Sequence, residues 1–200
     1  MLTAFDFIAP HYRWIELLCA GSLLQRCRTA FVGEIAPPRR VLIVGEGNGR
    51  FLAELLRRHP TASVTCVDAS AAMLRLAGAR LAADGLDVRR VKFIHADLSA
   101  WTPPRAAFDL IATHFFLDCF RADQLAPIVA RLAEAAAPGA RWLVSDFHEP
   151  AAGFAKWRAR IIIQSLYFFF RIVARLPARR LTPPDDFLTS QGFTLRERRV

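Results

Sequence analysis

The stretch VLIVGEGNGRF, residues 41–51, places four apolar residues directly before three glycines at alternate positions, Gly45, Gly47 and Gly49. A plain tight turn rarely needs three glycines. A loop needs them when its backbone takes unusual dihedral angles or when another group must touch its main chain. The apolar run has the length of a strand, and the residues from Arg50 onward have a helical pattern. The stretch therefore predicts a buried strand, a glycine loop and a helix.

Short apolar runs and helical stretches alternate along the rest of the chain. Strands that are apolar on both faces and alternate with helices are typical of a parallel sheet covered on both sides. Right-handed crossovers make such a sheet doubly wound. The predicted fold class is thus α/β, with a doubly wound and mostly parallel sheet. The predicted strands are Arg40–Gly45, Ser63–Asp68, Val91–His95, Phe108–Thr113, Ala140–Phe147 and Phe193–Val200, and the predicted helices are Arg50–Arg58, Ala71–Asp84, Ala122–Ala137 and Pro184–Gln191.

A length of 200 residues suits a single domain with a substantial core. The pattern divides it into an N-terminal helical cap (1–38), a ligand-binding core (39–150), a lid-like helical insertion (151–182), and a C-terminal helix and strand (183–200). Within the insertion, residues 154–176 are apolar all round in their middle. Such a segment either packs with both sides covered, in a groove or a dimer contact, or lies against something apolar.

Composition and charge exclude several classes of protein. With 54% hydrophobic and 22% charged residues, the chain is expected to fold. There is no signal-peptide pattern, and the longest uncharged apolar segment, Ile161–Phe170, is about half of a membrane span. Four cysteines without a CxxC pair argue against a zinc site or a disulfide framework and indicate a reducing cytoplasm.

The net charge is +9, and residues 151–200 hold ten basic and three acidic side chains. A basic patch of this kind can meet anionic lipid, nucleic acid or an acidic substrate. The alternative is a solvated basic face. The charge alone does not choose between these partners.

Two aspartates follow the next two predicted strands at the same edge of the sheet as the glycine loop. Asp68 ends the second strand, where a carboxylate can accept hydrogen bonds from ribose hydroxyls, and Asp97 follows the third, where it can accept from an adenine amine. Taken singly, Asp68 could cap the next helix and Asp97 could be a turn residue. The G-x-G-x-G spacing also lacks the helix-packing glycine of the dinucleotide pattern, whose position Arg50 occupies. The loop and the aspartates together predict a site for a nucleoside without phosphate.

The segments VLIVGEGNGRF, VTCVDASAAML and FIHADL resemble the successive cofactor motifs of the class I S-adenosylmethionine-dependent methyltransferases, over about residues 39–150. The resemblance implies a Rossmann-like methyltransferase fold and S-adenosylmethionine as the cofactor. The cofactor-binding residues that we predict are Gly45, Glu46, Gly47, Asn48, Gly49, Asp68, Ala69, Met73, Asp97, Leu98, His114 and Tyr12.

By that resemblance, the three glycines line the methionine and ribose of the cofactor, and Asp68 binds the ribose hydroxyls. Met73 lies against the adenine ring, and Asp97 with the backbone N–H of Leu98 reads its edge. The sequence departs from the family at Ile43, where an acid usually stands two residues before the first glycine. We hypothesise that Glu46, inside the loop, supplies the missing charge toward the methionine ammonium group.

A second, shorter resemblance concerns residues 5–28, FDFIAPHYRWIELLCAGSLLQRCR. They are similar to the opening helix of the ubiquinone and menaquinone biosynthesis C-methyltransferases, with matches at Phe5, Asp6, Tyr12, Gly21 and Arg28. This similarity implies that Tyr12 closes over the cofactor. A core aromatic is the alternative.

The fourth predicted strand ends in THFFLDCF, residues 113–120. It has neither the Asn/Asp-Pro-Pro-aromatic motif of methyltransferases that modify base amino groups nor a proline-cysteine loop, so nucleic acid is disfavoured as a partner. Methyl transfer to a hydroxyl, phenol or activated carbon needs a proton acceptor. His114 is the first candidate because an ordinary imidazole titrates near neutral pH, and Asp118 is the second. A buried structural histidine is the alternative, and Phe115 and Phe116 are expected to wall the site or to belong to the core.

The sequence therefore predicts a cytoplasmic S-adenosylmethionine-dependent methyltransferase for a small, apolar or lipid-like acceptor. Residues 154–176 are expected either to touch a membrane peripherally or to form a packed helix or homodimer contact. Two other functions stay open: a cofactor-binding protein without turnover, and an RNA or protein methyltransferase that uses the basic tail. We also expect the sheet to lack the last strand of the family, which inserts antiparallel beside the fifth strand and would otherwise cover its edge.

Overall fold

The computed structural model describes residues 23–98, 100–148, 157 and 181–199. The 3-10 turns Val88–Arg90 and Leu117–Cys119 precede β3 and α4. The helices and strands follow one another as α1 (Leu23–Thr29), β1 (Arg40–Val44), α2 (Arg50–Arg58), β2 (Ser63–Asp68), α3 (Ala71–Ala83), β3 (Val91–His95), β4 (Phe108–His114), α4 (Ala122–Ala135), β5 (Ala136–Ser145) and α5 (Asp185–Ser190).

The five strands in the described ranges form one parallel sheet with the order β3-β2-β1-β4-β5. The chain runs outward from β1 to β3 and then returns to the other side of β1 to add β4 and β5. The strand order therefore reverses between β1 and β4. Ligands of such sheets bind at the carboxyl ends of the strands beside this reversal. The predicted doubly wound α/β fold is confirmed.

Successive residues of β1 are buried on opposite faces of the sheet, which explains its unbroken apolar sequence. Val41 and Ile43 belong to the hydrophobic core beneath α2 and α3. Leu42 and Val44 belong to a second core beneath α4. All four side chains are at most 2% exposed. The strand is thus held between two helical layers, and its carboxyl end is fixed in position.

The bounds of most predicted elements are confirmed to within a few residues. β2, β3 and α2 begin and end as predicted. β1 ends at Val44 because the next residue, Gly45, has a φ of 70° and cannot continue an extended strand. β4 continues one residue further than predicted, to His114.

β5 begins earlier than predicted, directly after α4 and before the Pro138-Gly139 pair that the sequence indicates as a turn. Phe108 pairs with Ala136 and Leu110 pairs with Arg141, so residues 137–140 bulge out opposite a single residue of β4. Gly139 has a φ of 76°, and Pro138 has no N–H for the ladder. The turn residues therefore produce an irregularity inside the strand and do not precede it.

The prediction of a strand at Phe193–Val200 is wrong for the described residues 193–199, which have no strand geometry. Most of these side chains are exposed, so burial does not favour a sixth strand. Side chains anchor the segment instead. The rings of Phe193 and Trp142 pack edge to face with centroids 5.3 Å apart. Arg199 contacts Glu34 at 2.7 Å and lies 4.5 Å from the centroid of Phe31.

Several predicted segments lie outside the described residues. They are most of the helical cap, including Tyr12, and the segment 154–176 except for the exposed Trp157. The described part of the cap is α1 and the turns that follow it. None of the helices in the described ranges combines the length and apolarity that crossing a bilayer requires.

The core position of Ile43 can be tested by substitution. Ile43 is 1% exposed on the face beneath α2, at the position where the resembled family carries an acid. Ile43→Val should lower the free energy of unfolding by about 1 kcal/mol, because it removes one buried methyl group. Ile43→Asp should lower it by roughly 3 kcal/mol or more, because it buries an ionisable group without a partner. Urea denaturation measures both, and equal losses in the two variants would contradict this placement.

Candidate active site

The glycine loop Gly45–Gly49 joins the carboxyl end of β1 to α2, beside the point where the strand order reverses. Gly45, Gly47 and Gly49 have φ values of 70°, 69° and 81°. Side chains at such φ values are strained, so the backbone conformation itself requires glycine at all three positions. The unusual run of glycines is explained by this left-handed backbone.

The three glycines differ in what lies next to them. A Cβ on Gly45 would stand 2.4 Å from Cδ2 of Phe116, and a Cβ on Gly49 would stand 2.7 Å from Cα of Ala77 in α3. At Gly47, no atom of the described residues lies within 4 Å of the Cβ position. Gly45 and Gly49 therefore make room for the protein itself, whereas the main chain of Gly47 is open as far as the described residues are concerned.

This arrangement corrects one step of the sequence argument. That step placed the helix-packing position at Arg50 and found no glycine there. In the structure, Gly49 precedes α2 and packs against the backbone of Ala77 in α3. The close approach of the two helices explains this glycine without a ligand.

The carboxylate of Asp68 ties the end of β2 to the glycine loop. Its Oδ2 accepts a hydrogen bond from the N–H of Gly47 at 3.1 Å, and its Oδ1 accepts one from the N–H of Ser70 at 2.8 Å. The cap of α3 is Ser70, whose Oγ accepts from the N–H of Met73 at 3.2 Å. Asp68 is thus not the helix cap, and its carboxylate lies beside the open main chain of Gly47.

The remaining predicted binding residues lie at the same edge of the sheet. β2 and β3 pair in register up to Asp68 and His95, and the exposed Asp97 follows β3. The Nε2 of His95 is 3.0 Å from the carbonyl oxygen of Ala69. Leu98 and Met73 are buried. Their predicted contacts with adenine stay predictions.

Asn48 is hydrogen-bonded to a side chain of α3. Its carbonyl oxygen accepts a hydrogen bond from Nε of Arg80 at 2.8 Å, and the residue is 6% exposed. This bond fixes the loop between its two outer glycines. Among the described residues, no three His, Cys, Asp or Glu side chains come together as metal ligands.

Glu46 is buried and binds the beginning of α2. Its Oε1 accepts a hydrogen bond from the N–H of Leu52 at 3.0 Å, and the N–H of Phe51 also favours its ionised form. Burial has the larger effect, and it raises the pKa of Glu46 from its ordinary 4.5 to about 7. At least one carboxyl oxygen of Glu46 therefore binds the backbone of α2. The predicted role of Glu46 toward the methionine ammonium group stays a prediction.

His114 ends β4 and is 7% exposed. Its Nδ1 lies 3.0 Å from Oγ of Ser145, and that hydroxyl lies 3.2 Å from the carbonyl oxygen of Cys27. Because the hydroxyl has one hydrogen and donates it to the carbonyl, Nδ1 of His114 must carry the proton. Its Nε2 is then an acceptor, and this buried atom has no hydrogen-bond partner in the part of the chain that the structure describes.

The expectation that His114 titrates near neutral pH is wrong. Burial, together with the positive charge of Arg28, lowers the pKa of His114 to about 3. The imidazole is therefore neutral at physiological pH and a weak proton acceptor. It remains a good hydrogen-bond acceptor through Nε2.

Two buried carboxyl groups follow β4 and β5. Asp118 lies in the turn after β4 and is 4% exposed. Asp146 directly follows β5, and both of its carboxyl oxygens are buried without a hydrogen-bond partner among the described residues. Burial and the neighbouring Asp118 raise the pKa of Asp146 well above its usual range. The sequence reasoning missed Asp146 because it placed this residue inside the predicted strand Ala140–Phe147, whereas β5 ends at Ser145.

The aromatic residues after β4 have two different surroundings. Phe116 packs on Gly45 and on the core beneath α4. Phe115 has a φ of 53°, which is strained for a residue other than glycine. Its ring lies 5.3 Å from that of Phe147 and 5.1 Å from the guanidinium carbon of Arg28. Phe116 is thus part of the core, and the half-buried Phe115 lines the edge of the sheet.

A cleft of about 220 Å³ lies at the opposite edge of the sheet, where β1 and β4 begin. It is lined by Pro37, Pro38, Asp109 and Arg141, among others. The carboxylate of Asp109 is already engaged there by the N–H groups of Arg39 and Arg40. The cleft shares no residue with the glycine loop and has no part in this site.

The different surroundings of the glycines lead to a test. Gly49→Ala should lower the free energy of unfolding by about 3 kcal/mol or more, because it adds strain at φ 81° and a clash with the backbone of Ala77. Gly47→Ala should cost only about 1–2 kcal/mol, since it adds strain without a clash. Thermal denaturation compares the two variants. A larger loss for Gly47→Ala would contradict the assignment.

Glu46 should make stability depend on pH. Since the folded protein holds the proton of Glu46 up to about pH 7 and the unfolded chain only to about 4.5, the free energy of unfolding should fall as pH rises through this window and then level off. In Glu46→Gln, the free energy of unfolding should decrease by roughly 2–3 kcal/mol less than in wild type over the same pH window. Glu134→Gln, at an exposed carboxylate, is the matched control. Chemical denaturation between pH 4 and pH 8 measures the slopes, and equal slopes in wild type and Glu46→Gln would refute the effect.

Comparisons with known proteins show the family of the chain. Residues 41–139 match the model of a family described as a methyltransferase domain. The chain is 33% identical over 151 residues to the demethylmenaquinone methyltransferase of Thermus thermophilus, covering 74% of this chain and 66% of that protein. It is 31% identical over 151 residues to the enzyme of the same name from Deinococcus radiodurans, covering 74% and 61%. The chain thus spans about two thirds or less of the length of these relatives.

The fold has counterparts among solved structures. One is an O-methyltransferase family 2 protein from Planctomyces limnophilus in complex with apigenin, with a TM-score of 0.69 and 18% identity. The match covers 92% of this chain and 55% of that protein. With the family model and the demethylmenaquinone methyltransferase relatives, the predicted resemblance is confirmed: the chain belongs to the class I S-adenosylmethionine-dependent methyltransferases.

Proposed function

We propose that this chain transfers the methyl group of S-adenosylmethionine to a small apolar acceptor of the lipid-quinone class. The bare main chain of Gly47 beside the carboxylate of Asp68 is the observation that carries the proposal. The similarity to proteins named demethylmenaquinone methyltransferase supports the choice of acceptor. The N-terminal resemblance to quinone C-methyltransferases agrees with it.

The residues at the edge of β1, β2 and β3 fit the cofactor. The carboxylate oxygens of Asp68 can each accept more than one hydrogen bond, so they can serve ribose hydroxyls while they hold Gly47 and Ser70. The exposed Asp97 can accept from an exocyclic amine. When bound, the cofactor supplies an electrophilic methyl group on a sulfonium. The chain supplies a fixed, phosphate-free nucleoside site for it.

The acceptor would lie beyond the ends of β4 and β5. The half-buried rings of Phe115 and Phe147, 5.3 Å apart, offer an apolar and aromatic surface there. Aromatic rings pack favourably against a flat aromatic acceptor. Most of the rate enhancement in such a displacement can come from holding the reactants in line, which is worth up to about 7–11 kcal/mol.

His114 would act as a hydrogen-bond acceptor in this reaction. Its neutral imidazole presents an unpartnered Nε2, and the bonds from Nδ1 to Ser145 and on to Cys27 hold the ring in one tautomer. An imidazole with a pKa near 3 does not retain a proton at neutral pH. We therefore assign His114 to orienting a donor group of the acceptor or cofactor.

A cofactor-binding protein without turnover is the second candidate, and one observation favours it. Ile43 is part of the core at the position of the family acid, and Glu46 binds the beginning of α2.

An RNA or protein methyltransferase is less favoured. In the described C-terminal residues, Arg198 pairs with Asp185, and Arg199 pairs with Glu34 and Glu197. Peripheral membrane contact or a homodimer through residues 154–176 stays a prediction outside the described residues.

Calorimetric titration with S-adenosylmethionine and S-adenosylhomocysteine tests the site. Asp68→Asn should weaken both by roughly tenfold or more, because the amide loses the charge and releases the loop at Gly47. Asp87→Asn, at an exposed carboxylate paired with Arg89, is the control and should bind as wild type does. Unchanged affinity in Asp68→Asn would disprove the site.

Turnover separates the two candidate functions. With a short-chain demethylmenaquinol as the acceptor, wild type should form S-adenosylhomocysteine and a methylated product. Binding of the cofactor without product from this or any other acceptor in a metabolite extract would favour the protein without turnover.

A further inference from the structure

Ser145 joins three parts of the fold. It ends β5 and pairs in register with His114 at the end of β4. Its carbonyl oxygen accepts a hydrogen bond from the N–H of Phe115 at 2.6 Å. Its Oγ lies 3.0 Å from Nδ1 of His114 and 3.2 Å from the carbonyl oxygen of Cys27 in α1. Ser145 therefore contacts two residues at the edge of the sheet and one helix of the N-terminal cap.

The place of Cys27 in α1 suits the bond to Ser145. Cys27 belongs to the last turn of a helix that ends at Thr29, and the carbonyls of a last turn lack the regular helical partner. The N–H of Ala30 approaches the carbonyl oxygen of Cys27 only at 3.4 Å. A carbonyl only accepts, so the hydroxyl hydrogen of Ser145 points to α1, and its Oγ accepts from His114. The contact with α1 thus sets the direction of both hydrogen bonds.

Further contacts hold α1 in this place. Nε2 of Gln25 donates to the carbonyl oxygen of Arg50, at the beginning of α2, at 3.2 Å. The guanidinium carbon of the buried Arg28 lies 5.1 Å from the centroid of the Phe115 ring. A cation at this distance from a ring face is attracted to it. α1 therefore reaches Phe115 directly through Arg28 and indirectly through Ser145.

The backbone of Phe115 needs this support. Its φ of 53° lies in the left-handed region, which a residue other than glycine keeps only when its surroundings hold it there. The bond from its N–H to Ser145 and the contacts of its ring with Arg28 and Phe147 provide those surroundings. Strained residues of this kind concentrate at binding and active sites. The half-buried ring of Phe115 is thus held in one orientation at the edge where the acceptor would lie.

The imidazole of His114 depends on the same hydroxyl. If the hydroxyl of Ser145 turned away from α1, it would donate to Nδ1 of His114, and the imidazole would carry its proton on Nε2. Nε2 would then change from a hydrogen-bond acceptor to a donor. The bond to Cys27 decides between the two tautomers, because Oγ and Nδ1 meet in both of them.

We propose, on the basis of the proposed methyltransferase function, that Ser145 is a positioning residue through which α1 selects the tautomer of His114 at the acceptor edge of the site. With α1 in place, the hydroxyl binds Cys27, and His114 keeps its proton on Nδ1. The same anchoring keeps the carbonyl of Ser145 under the N–H of Phe115. Without the hydroxyl, both tautomers of His114 become available, and the edge loses its single arrangement. Ser145 takes part in no bond-making step.

Nuclear magnetic resonance reads the tautomer without relying on activity. In protein with ¹⁵N-labelled histidine, correlations between ring nitrogens and carbon-bound ring protons distinguish a proton on Nδ1 from one on Nε2, and the His114 signals are those lost in His114→Gln. Wild type should carry the proton on Nδ1 at neutral pH. Ser145→Ala should move about half of the population or more to the Nε2 form, because Nδ1 loses its acceptor. Ser145→Thr, which keeps the hydroxyl, should restore the wild-type tautomer.

Ser190→Ala is the matched control, because the Oγ of Ser190 also donates to a backbone carbonyl, that of Phe187 at 2.7 Å, and it should leave the His114 signals unchanged. A wild-type His114 with its proton on Nε2 would overturn the proposal, since the hydroxyl would then donate to His114 and not to α1. An unchanged tautomer in Ser145→Ala would overturn it as well. If Ser145→Ala does not fold, the wild-type tautomer decides alone.

Kinetics then test the role of Ser145 in the reaction. With a demethylmenaquinol acceptor, Ser145→Ala should raise KM for the acceptor about three- to tenfold, as for the loss of one oriented hydrogen bond, while S-adenosylhomocysteine binds as in wild type. Ser145→Thr should restore KM. A wild-type KM in a Ser145→Ala protein whose tautomer has changed would overturn this role. A wild-type protein that binds no S-adenosylmethionine would refute the proposed function, and the tautomer would still decide the link between α1 and His114.

Discussion

The N–H groups of Gly47 and Ser70 both donate to the carboxylate of Asp68, and these two hydrogen bonds hold the loop after β1 against the loop after β2. The N–H of Gly45 adds a third bond, to the carbonyl oxygen of Val67 at 2.9 Å. A loop with three left-handed residues has no regular hydrogen-bond ladder of its own, so it depends on such partners. The open main chain at Gly47 and the direction of α2 both follow from this anchoring. Without it, the strand end would carry glycines but no defined site.

Burial determines the protonation states at this edge of the sheet. It raises the pKa of Glu46 and of Asp146 and lowers that of His114, so burial favours the neutral form of all three side chains. Burial thus favours the uncharged forms of these three side chains close to the place where a cationic sulfonium and an apolar acceptor would meet. A histidine in such surroundings orients a ligand better than it accepts a proton.

Much of the fold was predictable from local sequence features. The apolar runs of β1 to β4 and the helical patterns of α2 and α3 gave their bounds to within a residue or two, because burial on both sheet faces leaves an unbroken apolar signal. The same reasoning failed at Phe193–Val200, where alternation alone indicated a strand although mostly exposed side chains gain nothing from pairing. It also placed the start of β5 after Pro138 and Gly139. Turn residues in a sequence do not show whether the chain turns there or forms a bulge inside a strand, as it does here.

The sequence by itself determined that a glycine loop follows a buried strand and that acids follow the next two strands, since backbone dihedrals and apolar periodicity are properties of short segments. Only the tertiary structure decided which glycine is open, because the partners of Gly45 and Gly49 are Phe116 and Ala77, from other parts of the chain. It also decided that His114 is neutral and that the carboxyl oxygens of Asp146 are buried. Those properties depend on burial and on the side-by-side packing of β4 and β5, which no single segment encodes.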